Sequence, residues 1–458
     1  MVRGIILILM LLCPLFVKSE GALPTYFLNE WSQRNTLNAS FAPKYAYYSL
    51  PIIGRFDFHF SSNTGLSNYL YKFPDLAKPV TFLHKKVNGQ QFIDKLDENT
   101  FFNQDLKINL ISFGFPTKKG FWSFNYSMKE EFNLNLPIDL FKLMKLGFAA
   151  QTNLFDLKNF SIEQSNISEC SLGYSNQINP KLRIGVNAKL LMGLSVEKVK
   201  YTQFDISLEN DRYSVNAVGE SLLMSNILSF EKDKENYYEY SKYGFNLFGN
   251  PSGIGAAFDI GLSYKPIEKL TIAAAVNDIG YIKWNANSVK RGAAKGDLIF
   301  TGFNEVSIET LDIQTQLNQL LDDAGRLIKF KEISSNQNLV ENIPYTVNLS
   351  AEYSIFGNTN SDILLGFLWN SYNSSAIHEN ELVAAINFKP FSSLTISTTA
   401  GMHINDGFRY GLAMNFSPKW INFFIASNFM PTSMNPQFLP VNKFNINLQT
   451  GVSFLLDE

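Results

Sequence analysis

The sequence predicts an all-β membrane protein, a closed antiparallel outer-membrane β-barrel of about 14 strands, and three observations predict it. The first is the stretch Leu182–Glu197. Leu182, Ile184, Val186, Ala188, Leu190, Met192, Leu194 and Val196 alternate there with Arg183, Gly185, Asn187, Lys189, Leu191, Gly193, Ser195 and Glu197. Side chains alternate faces along a strand, so one face is apolar and the other polar or small. A helix would set Arg183 and Lys189 among the apolar residues, so period 2 wins. Soluble strands run about 5–6 residues, whereas a tilted strand needs about 9–11 to cross a bilayer; this run outlasts both. The second observation is the content of 40 Phe and 20 Tyr, residues that favour strands and form girdles at bilayer edges. The third is an asymmetry of short Pro-containing turns and long connections, the pattern of bacterial barrels with short periplasmic turns.

Composition narrows the classes. A soluble chain of 458 residues would divide into about three domains at about 150 residues each, but one closed sheet can use the whole chain. A net charge of −2 with 17% charged residues points away from nucleic acid. A mean hydropathy of −0.06 is compatible with a membrane barrel, whose interior is polar. Arg3, the apolar run Ile5–Phe16 and the small Ser19 form an expected signal peptide over 1–19. Leu12 is too bulky for a lipoprotein signal at Cys13. Removing 1–19 leaves Cys170 alone, a small residue expected to be packed or lipid-facing. No later apolar run is long enough for a membrane helix, so the expected destination is the outer membrane of a Gram-negative envelope.

Residues 20–50 lack periodicity and are expected as a periplasmic or lumen-plugging segment, with the barrel over 51–458. Trp31, Leu37, Phe41 and Tyr45–Tyr48 give this segment apolar surface that water would penalise if it hung free. Ile52–Ser62 is the first expected strand, with Arg55, Asp57 and His59 on one face. A long polar loop over 63–105 is expected next, then a hairpin of 106–115 and 120–134 around Pro116-Thr117-Lys118-Lys119. In its second arm Trp122, Phe124, Tyr126 and Met128 oppose Ser123, Asn125 and Ser127. Pro137–Gly147 has helical character. Further strands are expected at 160–175, 181–197, 254–265, 269–284, 345–356, 362–372, 381–389, 393–404, 408–417, 420–430 and 443–455. Tyr174, Tyr264, Phe388 and Phe416 each precede a Pro, at 180, 266, 390 and 418. Proline cannot donate to a ladder, so these mark strand ends, all at the periplasmic side if the even count holds. Tyr201–Asn210 and Arg212–Val218 read as a strand pair above the membrane. Ile313, Leu317, Leu320, Leu321, Ala324, Leu327 and Ile328 have helical spacing. One strand conflicts: Asp278 falls on the apolar face of Leu270, Ile272, Ala274 and Val276. A bulge near Asn277-Asp278 resolves this, since a carboxylate against lipid is disfavoured.

Chemistry is sparse. His59, His84, His378 and His403 are scattered, and there is no Cys pair, Gly-rich phosphate loop or nucleophile elbow. Ser397 and Thr399 share a face with His403, but period 2 always places some hydroxyl there. No enzyme, cofactor or metal is expected. The expected lumen-lining residues are Arg183, Lys189, Asp259, Glu352 and Arg409, which either set ionic selectivity or pair across the lumen and brace it. An interior of 14 strands is too wide for side chains alone to fill, so a channel or plug is expected. By face, Leu190→Arg should impair assembly while Lys189→Ala should not.

The segments QRNTLNASFAPKYAYYSLPIIG, NLISFGFPTKKGFWSFNYSMK, LPIDLFKLMKLG, LGYSNQINPKLRIGVNAKLLMG and YKPIEKLTIAAAVNDIGYIKW resemble an uncharacterised Bacteroidetes-type outer-membrane barrel family. More distantly the chain resembles the FadL-type 14-stranded barrels, which include long-chain fatty-acid transporters and a PorV-like secretion component. The resemblance implies architecture rather than activity. The expected function is passive passage or uptake of a small solute, in the hydrophobic case as for FadL-like transport. The alternative is a non-transporting scaffold acting through its extracellular loops. Expected partners are outer-membrane lipid and either that small hydrophobic solute or another envelope protein.

Overall fold

Fourteen antiparallel staves, each hydrogen-bonded to the next in chain order, close into a barrel. The computed structural model describes residues 23–149, 153–209, 212–246, 249–300, 327, 329–333, 337–356, 361–374, 378–403, 407–429, 433–435 and 439–456. The expected signal peptide and most of the expected helix at 313–328 lie outside these residues. The wall comprises β1 (two pieces, Ala46–Ser49 and Arg55–Ser62), β2 (Asn99–Pro116), β3 (Gly120–Pro137), β4 (Ser161–Asn179) and β5 (Leu182–Glu209). It continues with β6 (Gly253–Ile267), β7 (Leu270–Trp284), β8 (Tyr345–Ser354), β9 (Asp362–Asn373) and β10 (His378–Phe391). The last four are β11 (Leu394–His403), β12 (Gly407–Phe416), β13 (Ile421–Phe429) and β14 (Phe444–Leu456). Closure is by β14 on β1, with Phe56 opposite Thr450 and Tyr48 opposite Phe454.

The faces are inverted relative to a soluble sheet. Leu190 is 49% exposed on the outside while its neighbour Lys189 is 8% exposed within. Phe258, Ile260, Ile386, Phe408 and Leu412 are exposed outward, and Ser397, Asn415, Asn447 and Gln449 are buried inward. An outer surface so apolar is stable only against lipid, so the barrel spans a membrane. Cys170, free, sits between Tyr126 and Leu190 in the ladder, a small residue of that outer face.

Two departures from the expected strands follow from local chemistry. The first stave does not run unbroken from Ile52. The wall takes up the chain at Ala46, a few residues before the expected boundary at 51, and then detours through Leu50–Gly54. In β7 the expected bulge is present: Phe258 pairs Ile279 but Ile260 pairs Val276. One residue of β6 thus opposes Asn277 and Asp278. Asp278 adopts φ 64°, in the left-handed region that Asp tolerates better than most residues. The extra residue reverses facing beyond it: Ile279 and Tyr281 point out, while Ile282 and Trp284 point in.

All four Pro-marked turns lie at one end, because alternate connections of an antiparallel wall share an end. The other end carries the long connections. β5 has 28 residues and rises past the wall to pair with the strand Arg212–Ser225, from Glu209↔Arg212 to Ser195↔Ser225. The strand Val289–Phe300 extends this sheet, and Tyr201, Ala217, Tyr238, Ala294, Leu327 and Phe330 pack on one face of it. The connection expected as a plain polar loop is instead a small aromatic unit. Its helix Gly89–Ile93 packs with the helix Ile138–Leu146 around Phe92, Ile93 and Phe141, and Phe82 stacks on Phe92 at 4.6 Å. Apolar residues spaced irregularly in a loop betray no strand or helix, yet they still seek a common core.

Candidate functional site

Residues 23–42 lie inside the barrel at the short-turn end and form a floor. Tyr26 and Phe27 pack on Ala273, Leu368, Val383 and Ala385, inward residues of β7, β9 and β10. Trp31 packs on Ala413, Phe424 and Ala426, its ring 4.7 Å from that of Phe424. Each aromatic contributes about 1.5–3 kcal/mol by leaving water. The wall is notched to receive this chain. A Cβ on Gly185 would lie 1.9 Å from the Ala39 carbonyl oxygen, and one on Gly366 would lie 2.4 Å from the Phe27 ring.

Polar groups then fix the floor around its rim. The Thr25 hydroxyl donates to Gln449 (3.0 Å), Asn422 to the Glu30 carbonyl (3.1 Å), and Asn387 to the Phe27 carbonyl (3.1 Å). Lys389 pairs with Glu30 at 2.8 Å, and Arg34 pairs with Glu352 while its guanidinium lies 3.9 Å from the Phe41 ring centroid. Asn277, in the β7 bulge, donates to the Leu37 carbonyl at 2.9 Å.

Above the floor is a cavity of about 570 Å³ that opens toward the long-loop end. Tyr26, Thr36 and Leu37 form its base. One wall is apolar: Ile167, Leu191, Val196, Ile282, Trp284 and Ile343. The other is ionic: Arg55, Asp57, Lys107, Lys129, Glu169 and Asp278. The ionic side is a cross-strand network. The Lys189 ammonium lies 2.7 Å from Asp259 Oδ1, 2.6 Å from Asp278 Oδ1 and 3.8 Å from Glu169 Oε1. Lys129 reaches Glu169 at 2.7 Å and Asp278 at 3.6 Å. Asn187 and the Asp278 backbone N–H both donate to Asp259 at 2.8 Å. Such charges tolerate burial because each faces an opposite charge, and Lys189, Asp259 and Asp278 are hydrogen-bonded besides. Arg55 is held by Asp57 at 2.6 Å and donates to Thr36 of the floor at 2.7 Å. Lys107 has no ion-pair partner among the described residues.

The five expected lumen residues all point inward but do not form one site. Lys189 and Asp259 lie together at the centre of the network. Glu352 is taken up by Arg34 of the floor. Arg409 stands elsewhere, 3.5 Å from Glu381. Arg183 is at the short-turn end, donating to Gln177 at 3.2 Å and Ser175 at 3.4 Å. Lys129 and Glu169 were missed, though parity with Ser127 and Ser171 assigns both to the inner face. Asp278 is an inner residue only through the bulge. No group of His, Cys, Asp and Glu among the described residues has metal-binding geometry. What the arrangement offers chemically is a partly apolar, partly ionic chamber over a base formed by Tyr26, Thr36 and Leu37.

A protein-family model described as "Family of unknown function (DUF5723)" matches residues 39–428. No curated protein matches the chain. Among solved structures, a Pseudomonas aeruginosa FadL homologue is similar at 10% identity and TM-score 0.48, covering 97% of this chain and 100% of that one. The P. putida toluene transporter TodX is similar at 9% identity and TM-score 0.42, covering 92% of each chain. The translocator domain of the Neisseria meningitidis autotransporter NalP is similar at 7% identity and TM-score 0.33, covering 90% and 89%. The pairing of the wall itself, rather than these likenesses, establishes the fold.

Proposed function

The chain belongs to the DUF5723 family of unknown function, and we propose that it is a floored outer-membrane barrel for passive passage or uptake of a small solute. The observation that carries this reading is the cavity of about 570 Å³ over residues 23–42. A chamber lined on one side by apolar and on the other by ionic groups gives a solute a place to rest within the wall, and pockets of this volume suit small ligands. The apolar wall around Trp284 supports a solute with an apolar part; the ionic wall supports one with a polar edge. The outward apolar face supports the membrane location, and the short-turn end is then periplasmic. Residues 23–42 act as the stopper, so the intact protein is not a wide porin.

Planar-bilayer conductance tests this. The full mature chain should show small or intermittent currents, and a chain lacking residues 23–42 large steady ones. Large steady conductance in the intact protein, unchanged by truncation, would overturn the reading. A second reading, a scaffold that holds another envelope protein, draws on the raised β5 sheet and the aromatic unit at the outer end. Deleting those outer parts would then abolish partner capture while leaving conductance as it was.

A further inference from the structure

The detour in β1 and the floor meet at one side chain, Gln33. Leu50–Gly54 leaves the wall between Ser49, opposite Ser112, and Arg55, opposite Asn109. Leu50, Ile52 and Ile53 are exposed on the lipid side, Ile52 at 59%. Ile52 has φ 69°, a conformation that a β-branched side chain strongly disfavours. The detour stays tied to both neighbours by backbone: the Ile52 N–H donates to Asn109 (3.2 Å), and the Val452 N–H donates to Ile53 (2.9 Å). On the lumen side the gap in the ladder is filled by the fully buried Gln33 carboxamide. Its Nε2 donates to Ser49 Oγ at 2.9 Å and to the Gly54 carbonyl at 3.2 Å, with Ser453 Oγ at 3.5 Å. Its Oε1 accepts from Asn109 Nδ2 at 3.1 Å.

One floor residue therefore bonds both ends of the detour and both neighbouring staves. If the floor leaves, the Gly54 carbonyl and the Asn109 amide each lose a buried partner, which is costly. The strained Ile52 then has less to hold it. We propose that Gln33 and the Leu50–Gly54 detour form a latch, so that seating of the floor in the lumen and the shape of the lipid-facing detour are one coupled equilibrium. This rests on the reading above in requiring that the floor leaves its seat. Its consequence is that the state of the lumen is displayed on the membrane-facing wall, between β14 and β2.

The test uses the full mature chain in lipid nanodiscs, in a Cys170→Ser background. Leu50→Cys carries a polarity-sensitive fluorophore, and in separate samples Ser32→Cys reports the floor by its rate of thiol labelling. Gln33→Leu keeps the volume and removes the bonds. It should raise labelling at position 32 about tenfold, the scale of one or two hydrogen bonds, and shift the emission at position 50. Ile52→Gly relieves the seated state's strain and should lower labelling at position 32. Truncation of residues 23–42 should shift emission at position 50 in the same direction as Gln33→Leu. If truncation opens conductance but leaves position 50 unchanged, the latch is refuted and the stopper stands. If neither conductance nor position 50 changes, both fail. If Gln33→Leu alters labelling at position 32 but not emission at position 50, Gln33 is a floor contact alone and the latch is refuted.

Discussion

Lys189 and Leu190 are adjacent, yet they live in opposite solvents. Leu190→Arg places a cation against lipid, costing about 2–4 kcal/mol at mid-depth, and should lower assembly yield. By face alone, Lys189→Ala is expected to assemble normally. The network adds a cost in stability: removing Lys189 leaves Asp259, Asp278 and Glu169 close together with Lys129 as the remaining direct cation. We expect Lys189→Ala to assemble but to lose about 3 kcal/mol, the low end for breaking a buried ion pair, because Asp278 keeps a quarter of its side chain exposed. Urea midpoints of the folded barrel in detergent measure it. Lys189→Ala indistinguishable from wild type would mean that the network is solvated rather than bracing.

At the scale of the strand, the β7 bulge turns one misplaced carboxylate into an inner-wall residue. Deleting Asp278 removes the extra residue but leaves Ile279 and Tyr281 facing out, so the barrel should still assemble. Inserting Ala after Ile272 shifts the facing of the residues beyond it and should block assembly. Heat-modifiable migration of the two variants distinguishes them; equal yields would contradict the facing scheme. This element also marks where sequence is readable. Period 2 is set by the backbone, so all fourteen staves, and the bulge that rescues Asp278, could be read from alternation alone. The detour at Leu50–Gly54 could not, because Ile52 and Ile53 are strand formers held out of the strand by contacts from Gln33 and Asn109, distant in sequence. The grouping of Lys189 with Lys129, Glu169 and Asp278 was equally hidden: parity assigns a face but not the register that brings charges of the neighbouring staves β3 to β7 to one level. The aromatic unit of residues 66–96 was hidden for a related reason, since its core is assembled from two separate connections.

For the molecule as a whole, one end should be reachable from outside the cell and the other not. Single cysteines in a Cys170→Ser background test this with an impermeant thiol reagent on whole cells: Ser229→Cys should label and Lys181→Cys should not, and the reverse would invert the orientation. The floor has a consequence for how the chain is made. Thr25 finds its partner Gln449 across 424 positions of sequence, and Asn422 and Lys389 are nearly as remote. The floor, near the start of the chain, is thus among the last segments to find its place. Until the final strands arrive, Tyr26, Phe27 and Trp31 travel with their rings uncovered, and such surface invites aggregation. The cover for these rings lies in staves at the far end of the chain, so the time they stay bare grows with the length of polypeptide that must fold behind them.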